Sequence, residues 1–202
     1  MNHWDEKFDS ETYIYGKEAN AYVKENFVTK PHTAQNVLLL AEGEGRNAVY
    51  LAQLGYEVTT YDMSEVGIDK QHKLAQEHNV TINANYGDIT ASNLCSDNTF
   101  NYSINIFGHV PQEGKQGMFN NLVKPLVTNG HSYFEFYTTD QLANGTGGPK
   151  DKHMLYEEDE IKGYLEQLPV KIHSLTKRDI TRYEGTAHKG KASVIQGHIE
   201  KI

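Results

Sequence analysis

The sequence of 202 residues contains a single cysteine, Cys95, so no disulfide can form within the chain. Its apolar runs all fall well short of the ~20 residues that a membrane-spanning helix needs. Its N-terminus lacks the basic and apolar pattern of a secretory signal. Neither repeats nor low-complexity segments occur. These absences, with an ordinary hydrophobic content, predict a globular cytoplasmic protein.

Basic residues are also scarce, since 19 lysines and arginines stand against 27 aspartates and glutamates and give a net charge of −8. An acidic surface repels the phosphates of nucleic acids and of anionic membranes, so neither is an expected partner. His3, His72, His78 and His109 lack the spacing of a metal site, and no G-x-S-x-G hydrolase motif occurs. We therefore expect a protein that acts on a small molecule, without a metal; the oligomeric state is left open.

Apolar stretches of strand length alternate with stretches of helical periodicity along most of the chain. This alternation predicts a parallel sheet with right-handed crossovers. The last two predicted strands have no helix between them and so form an antiparallel hairpin. We expect an α/β fold: a Rossmann-like, seven-stranded, mostly parallel sheet with this C-terminal hairpin at one edge and helices on both faces. The predicted strands cover residues 37–41, 56–62, 80–86, 100–107, 131–138, 170–178 and 192–200, and the predicted helices cover residues 18–27, 48–55, 64–79, 119–126 and 159–168.

A glycine-rich turn at residues 41–45, with the sequence A-E-G-E-G, joins the first strand to the next helix. Glycines let a ligand approach the backbone, and the start of the helix offers unpaired N–H groups. Ligands of open α/β sheets bind beyond the carboxyl ends of the strands. The dinucleotide-binding fingerprint would need glycine or alanine where Arg46 stands, and two acidic residues would repel a pyrophosphate. The turn therefore favours a cationic ligand, with a tight turn that binds nothing as the alternative.

Asp62 ends the second strand, seventeen positions after Gly45. A carboxylate at this point can accept hydrogen bonds from both hydroxyls of a ribose, and Met63 beside it can pack on an adenine ring. The alternative is an acidic residue that only stabilises the N-terminus of the following helix.

Further short segments follow a common pattern. The chain has W-D-E-K-F at residues 4–8, Y-G at residues 15–16 followed by Asn20, L-A-E-G-E-G-R-N at residues 40–47 and F-G-H-V-P at residues 107–111. These segments resemble the motifs W-D-x-[RK]-[FW], Y-G-x-x-x-N, [LI]-G-E-G-x-G-R-N and F-x-H-[LV]-P. Such motifs belong to class I S-adenosylmethionine-dependent methyltransferases, in the branch related to tellurite-resistance and thiopurine-type methyltransferases. The resemblance spans nearly the whole chain.

The resemblance implies that residues 1–202 form a single class I methyltransferase domain with an N-terminal cap at residues 1–30. It implies S-adenosylmethionine as the cofactor. An acid in the position of Asp88 meets the adenine amino group in this class, although a surface turn also explains Asp88, and Ile89 would flank the ring. The expected cofactor-binding residues are Ala41, Glu42, Gly43, Gly45, Arg46, Asp62, Met63, Asp88, Ile89 and Asn105.

The chain departs from the class at three positions. Leu39 stands where an acid usually holds the methionine ammonium group, and Ala41 replaces the first glycine. Glu42 or Glu44 could supply the missing negative charge. Asn105 replaces a small residue at the end of the fourth strand, where its carbonyl or side chain could meet the methionine moiety.

Methyl transfer is an in-line displacement that needs proximity, alignment and exclusion of water more than acid–base catalysis. Aromatic rings can stabilise a sulfonium by cation–π contact. Trp4, Tyr13, Tyr15 and Phe107 are therefore predicted to form a lid, with simple packing on the sheet as the alternative. The candidate catalytic residues are Tyr15 and His109, because a histidine with a pKa near ~6.5 could orient or deprotonate an acceptor.

Several other polar residues have both a structural and a functional interpretation. Glu135 lies on an apolar strand and has a structural partner or a role in the site. Five further residues could line the entrance through which the methyl acceptor reaches the site, with an ordinary solvated loop residue as the alternative for each: Tyr137, His153, Arg182, Tyr183 and His188.

Three functions remain open from the sequence. The first is methyl transfer from S-adenosylmethionine to a small molecule, with a thiol or a chalcogen oxyanion suggested by the family analogy. The second is an NAD-dependent Rossmann oxidoreductase, against which Arg46 and Asp88 argue. The third is a noncatalytic S-adenosylmethionine-binding protein.

Overall fold

The computed structural model describes residues 2–202 as alternating strands and helices. The strands are β1 (Asn36–Leu40), β2 (Glu57–Asp62), β3 (Asn83–Tyr86), β4 (Phe100–Ile106), β5 (Leu126–Tyr137), β6 (Val170–Glu184) and β7 (His188–Lys201). The α-helices are α1 (His3–Phe8), α2 (Ala21–Asn26), α3 (Arg46–Leu54), α4 (Glu65–Glu77), α5 (Lys115–Val123), α6 (Gln141–Asn144) and α7 (Glu158–Leu165). Among residues 2–202, every helix is too short or too polar to cross a membrane.

The strands form one seven-stranded sheet in the order β3-β2-β1-β4-β5-β7-β6. Strands β1 to β5 pair in parallel, whereas β7 runs antiparallel to both β5 and β6. The predicted fold class is confirmed, including the antiparallel hairpin at one edge. The carboxyl ends of the five parallel strands therefore lie side by side at one end of the sheet.

The continuous apolar run of β1 is buried on both faces of the sheet. Leu38 and Leu40 face a core shared with α5 and α7, whereas Leu39 faces a second core shared with α2, α3 and α4. Helices thus cover both faces, as the pattern of β1 predicts.

Strand β3 is shorter than the predicted segment 80–86. The Val80 N–H donates to the Ala75 carbonyl, and Asn79 adopts a left-handed φ of 55°. The chain is therefore still completing the end of α4 where the alternating pattern predicts a strand.

Strand β5 begins five residues before the predicted start at His131. Asn129, at a φ of 62°, causes a register shift between β4 and β5 instead of a turn that precedes the strand. The polar pair Asn129 and Gly130 is therefore an irregularity inside β5.

The last hairpin is also longer than predicted, because β6 and β7 pair from Glu184 and His188 back to Val170 and Lys201, with one register shift between Ile172 and Ser174. Most side chains of β6 are exposed, so its far half lacks the apolar alternation that marks a strand. The added length carries Glu184 and His188 to the end of the sheet where the parallel strands terminate.

The N-terminal cap contains two short helices instead of one helix at 18–27. Helix α1 begins with a capping box formed by Asn2 and Asp5. Helix α2 begins later than predicted because the Asn20 side chain accepts hydrogen bonds from the N–H groups of Tyr22 and Val23.

Candidate functional site

A cavity of about 830 Å³ lies at the carboxyl ends of the parallel strands. The turn after β1, the end of β2 and the loop after β3 all reach it. The three segments that the sequence predicts around one ligand therefore line one cavity. Of the predicted cofactor-binding residues, the cavity is lined by Ala41, Glu42, Gly43, Arg46, Asp62, Met63, Asp88 and Ile89.

Two predicted cofactor-binding residues lie outside this lining. Gly45 starts α3 with a φ of 96°, and a Cβ there would lie 2.9 Å from the Cα of Gln71, so this glycine permits the close packing of α3 on α4. The Asn105 side chain accepts from the Gly108 N–H at 2.9 Å and donates to the Gly108 carbonyl at 3.3 Å. Both residues therefore support the walls of the cavity from behind.

Asp62 connects the glycine turn to the start of α4. Its carboxylate accepts hydrogen bonds from the Gly43 N–H at 2.7 Å and from the Ser64 N–H at 2.9 Å, one on each oxygen. Burial raises the pKa of Asp62, although the hydrogen bonds from the backbone act to lower it. Each carboxylate oxygen keeps a further lone pair, so Asp62 can hold the turn and still accept from a ligand in the cavity.

The two acids of the turn have different roles. Glu42 lines the cavity, and its Oε1 accepts from the N–H groups of Asn47 and Ala48 at 2.8 Å each, at the N-terminus of α3. Burial raises the pKa of Glu42 to about 7. Glu44 instead forms a buried ion pair with Lys70 at 2.7 Å. Of the two acids of the turn, Glu42 is therefore the one placed to offer negative charge to the cavity.

The N-terminal cap supplies a second wall of the cavity. Trp4, Lys7, Phe8 and Tyr15 line it, and the Lys7 ammonium donates to the Tyr15 hydroxyl at 2.7 Å while lying 4.7 Å from the Trp4 ring centre. Tyr13, also predicted for the lid, lies elsewhere: its hydroxyl donates to a backbone carbonyl of α4.

His109 lines the cavity, but its ring nitrogens are both occupied. Nε2 accepts from the Tyr137 N–H at 3.0 Å, and Nδ1 lies 3.1 Å from the Phe107 carbonyl, to which it can only donate. Burial lowers its pKa to about 3. The ring has no free lone pair, so the predicted role of His109 as a base does not fit the structure, and His109 instead fixes the chain after β4 to the end of β5.

The candidates for the acceptor entrance separate into two groups. Tyr137 and His188 line the cavity, whereas His153 does not and Tyr183 is 81% exposed. Arg182 is buried behind the wall, where it donates to the Tyr137 hydroxyl and lies over its ring.

Glu135, which the sequence left between two roles, is buried and accepts hydrogen bonds from Asn20 at 3.0 Å and from the side-chain amide of Gln196. Burial raises its pKa. These two bonds attach the cap and β7 to β5, which is a structural role.

A buried charge network beside the cavity has Glu184 at its centre. Its carboxylate lies 3.2 Å from Arg46, 3.5 Å from Arg182 and 3.3 Å from His188. Burial alone would raise the pKa of Glu184, but the hydrogen bond with His188 and the two guanidinium groups lower it to about 2. Glu184 is not predicted from the sequence, since no local motif links residues 46, 182, 184 and 188.

His188 places its imidazole ring on the cavity wall. Its Nδ1 lies 2.9 Å from a guanidinium nitrogen of Arg182 and 3.3 Å from the Glu184 carboxylate. Burial lowers the pKa of His188 to about 4 despite Glu184, which keeps the ring neutral at pH 7. The ring lies beside that of Tyr15, with centroids 4.5 Å apart and the two planes tilted by 49°.

A family model and a curated relative both relate the chain to TehB proteins. The model of the family described as "Tellurite resistance protein TehB" matches residues 3–171. A curated relative from Haemophilus influenzae (strain 10810), named "Probable S-adenosyl-L-methionine-dependent methyltransferase TehB", is 28% identical over 129 residues, which are 63% of this chain and 44% of the relative. The chain thus spans less than half the length of that relative.

Solved structures share the fold. The crystal structure of TehB from Haemophilus influenzae superposes with a TM-score of 0.71 at 20% identity, covering 91% of this chain and 63% of that one. Magnesium protoporphyrin IX methyltransferase from Synechocystis PCC 6803, solved with bound SAH, superposes with a TM-score of 0.65 at 16% identity, covering 89% and 78%.

Proposed function

Because the chain belongs to the TehB family, we propose that it transfers the methyl group of S-adenosylmethionine to a small-molecule acceptor. The observation that carries the proposal is the single cavity lined by the turn after β1, by Asp62 and by Asp88. We propose further that residues 1–202 act as one domain, with the N-terminal cap as part of the site.

The chemistry of the cavity suits this cofactor. Asp62 offers free lone pairs to a ribose, and Asp88 and Ile89 lie at the next strand end, where an adenine would follow. Glu42 is a buried carboxylate that forms no ion pair within residues 2–202, and the cofactor carries an ammonium and a sulfonium group. A cationic ligand would therefore satisfy a carboxylate that burial otherwise destabilises.

The cap and the aromatic walls would exclude water and align the acceptor. When bound, S-adenosylmethionine supplies a methyl group on a positively charged sulfur. Trp4, Tyr15 and Phe107 line the cavity, and His109 has no lone pair with which to remove a proton. Acceleration would then come from proximity and desolvation, so the acceptor must already be a good nucleophile.

An anionic, soft nucleophile meets this requirement, and we propose a thiol that binds as its thiolate, or a chalcogen oxyanion. Lys7 and Tyr15 form a hydrogen-bonded pair on the cap wall, and the His188 ring lies beside Tyr15 on the same side of the cavity. These groups would orient a negatively charged acceptor, with Tyr15 as a positioning residue.

A screen with isotopically labelled S-adenosylmethionine tests the proposal. A panel of thiols, chalcogen oxyanions, phenols and amines would be incubated with the full chain, and products would be identified by mass spectrometry. Labelled methyl groups are expected on a thiol or a chalcogen oxyanion. Cofactor binding without turnover across the panel would indicate a noncatalytic binder, and preferential binding of NAD would indicate an oxidoreductase.

Replacing Asp62 is expected to weaken cofactor binding. Asp62→Ala removes the carboxylate proposed to hold the ribose and should reduce the affinity for S-adenosylhomocysteine by about 1–3 kcal/mol, measured by calorimetry. The exposed Asp69→Ala variant on α4 is the control. An analogue without the 2′-hydroxyl should bind the native protein more weakly but should bind Asp62→Ala no worse than the parent ligand does. Equal losses in both proteins would remove Asp62 from the ribose site.

The affinity for S-adenosylmethionine is expected to rise with pH because of Glu42. Its pKa is about 7 in the folded protein, so the carboxylate ionises between pH 6 and 8 and then attracts the cationic ligand. The gain can reach about tenfold per pH unit below pH 7 if only the ionised form binds. Glu42→Gln should remove this dependence. Because the ligand titrates identically with both proteins, the ratio of the two affinities isolates Glu42, and a ratio independent of pH would contradict the assignment.

A further inference from the structure

Three histidines from three neighbouring strands lie close together on the side of the sheet that ends with the edge strand β6. His131 lies on β5, His198 on β7 and His173 on β6, and one ligand atom of each lies within 4.8 Å of the others. Nδ1 of His131 is 3.0 Å from Nε2 of His198. The expected absence of a metal rests on the spacing of four other histidines, His3, His72, His78 and His109. The strand order of the sheet brings together three histidines that this expectation does not consider.

We propose that this histidine cluster binds a divalent transition metal, with Zn²⁺ as the preferred ion. Imidazole nitrogen is a ligand that zinc, copper and nickel share, and zinc commonly takes four nitrogen, sulfur or oxygen ligands in tetrahedral geometry. Glu200 places a carboxylate beside the cluster, with its Oε2 2.6 Å from Nε2 of His173. A carboxylate bound to a histidine is a usual companion of a metal ion.

A β-bulge supports the cluster. The register between β6 and β7 shifts between Ile172 and Ser174, so His173 is an extra, unpaired residue next to the pair of Ser174 and His198. Bulges of this kind redirect a side chain, and here the bulge adds His173 to the face that already carries His198. The three ligands therefore come from paired strands of a rigid sheet.

The histidine cluster is separate from the proposed methyltransferase site. His131 precedes Tyr137 by six residues along β5, which corresponds to roughly 20 Å at the rise of an extended strand. The cluster lines no part of the cavity. A metal bound there would join β6 and β7 to β5 and stabilise the edge of the sheet.

Zinc titration of the full chain without a histidine tag tests the proposal. Calorimetry with ZnCl₂ should give one ion per chain, the melting temperature should rise with zinc concentration, and Co²⁺ should give the intense visible absorption of a tetrahedral site. His173→Gln, on the exposed edge strand, should weaken zinc binding by at least tenfold. His72→Gln, exposed on α4, is the matched control and should bind zinc like the native chain.

S-adenosylhomocysteine binding by His173→Gln and His72→Gln provides a separate readout, because the histidine cluster does not line the cofactor cavity. Unchanged cofactor binding with lost zinc binding in His173→Gln is the expected result. Native zinc affinity in both His173→Gln and His131→Gln, or a weak octahedral Co²⁺ spectrum, would overturn the proposal whether or not the chain methylates any acceptor.

Discussion

Removal of residues 2–16 is expected to lower kcat/KM by about 100-fold or more while the sheet remains folded. This segment supplies Trp4, Lys7, Phe8 and Tyr15 to one wall of the cavity. Without the wall, water enters and the acceptor loses its alignment, and losses of this size follow even from small misplacements. The core of the sheet lies in other elements, so the far-ultraviolet circular dichroism should change little.

A point variant tests whether the cap must be held against the sheet as well as be present. Asp5 accepts from the Ser64 hydroxyl at 2.8 Å and from the Val66 N–H at 3.3 Å, which attaches α1 to the start of α4. Asp5→Ala should raise KM and lower kcat/KM by a smaller factor than the truncation. Glu6→Ala, exposed on the same helix, should leave both unchanged. Full activity in the truncated chain would show that the cap takes no part in the site.

Much of the fold is readable from sequence because the signals are local. The run Leu38, Leu39 and Leu40 is apolar on both faces and can only be a buried strand, and the glycines after it require a tight turn. Asp62 and Asp88 are visible as acids at successive strand ends. Parallel topology then brings these ends together, which is why a one-dimensional pattern predicts a three-dimensional cavity.

What sequence could not supply depends on contacts between distant strands. His109 is indistinguishable from a free base until its two nitrogens are seen to be occupied by Phe107 and Tyr137. The long hairpin lacks an apolar pattern because most side chains of β6 are exposed. Its length alone brings Glu184 to Arg46, and no local periodicity carries that information.

Replacing Glu184 is expected to produce the largest loss of stability. Glu184→Gln leaves the guanidinium groups of Arg46 and Arg182 buried without their counter-ion, and breaking a buried ion pair in this way costs about 3–5 kcal/mol of unfolding free energy. Chemical denaturation at pH 7 measures the change. Asp159→Asn is the control, because that side chain is 97% exposed and its ion pair with Lys162 contributes little.

Acidification should produce the same loss in the native chain. The pKa of Glu184 falls from 4.5 to about 2 on folding, so its contribution is present above pH 4.5 and disappears as the pH falls toward 2. A shift of this size corresponds to roughly 3 kcal/mol. Glu184→Gln should lack this part of the acid dependence, so the stabilities of the two proteins should approach each other as the pH falls from 4.5 and should converge at about pH 2. Parallel curves across that range would mean that the two arginines are satisfied without the carboxylate.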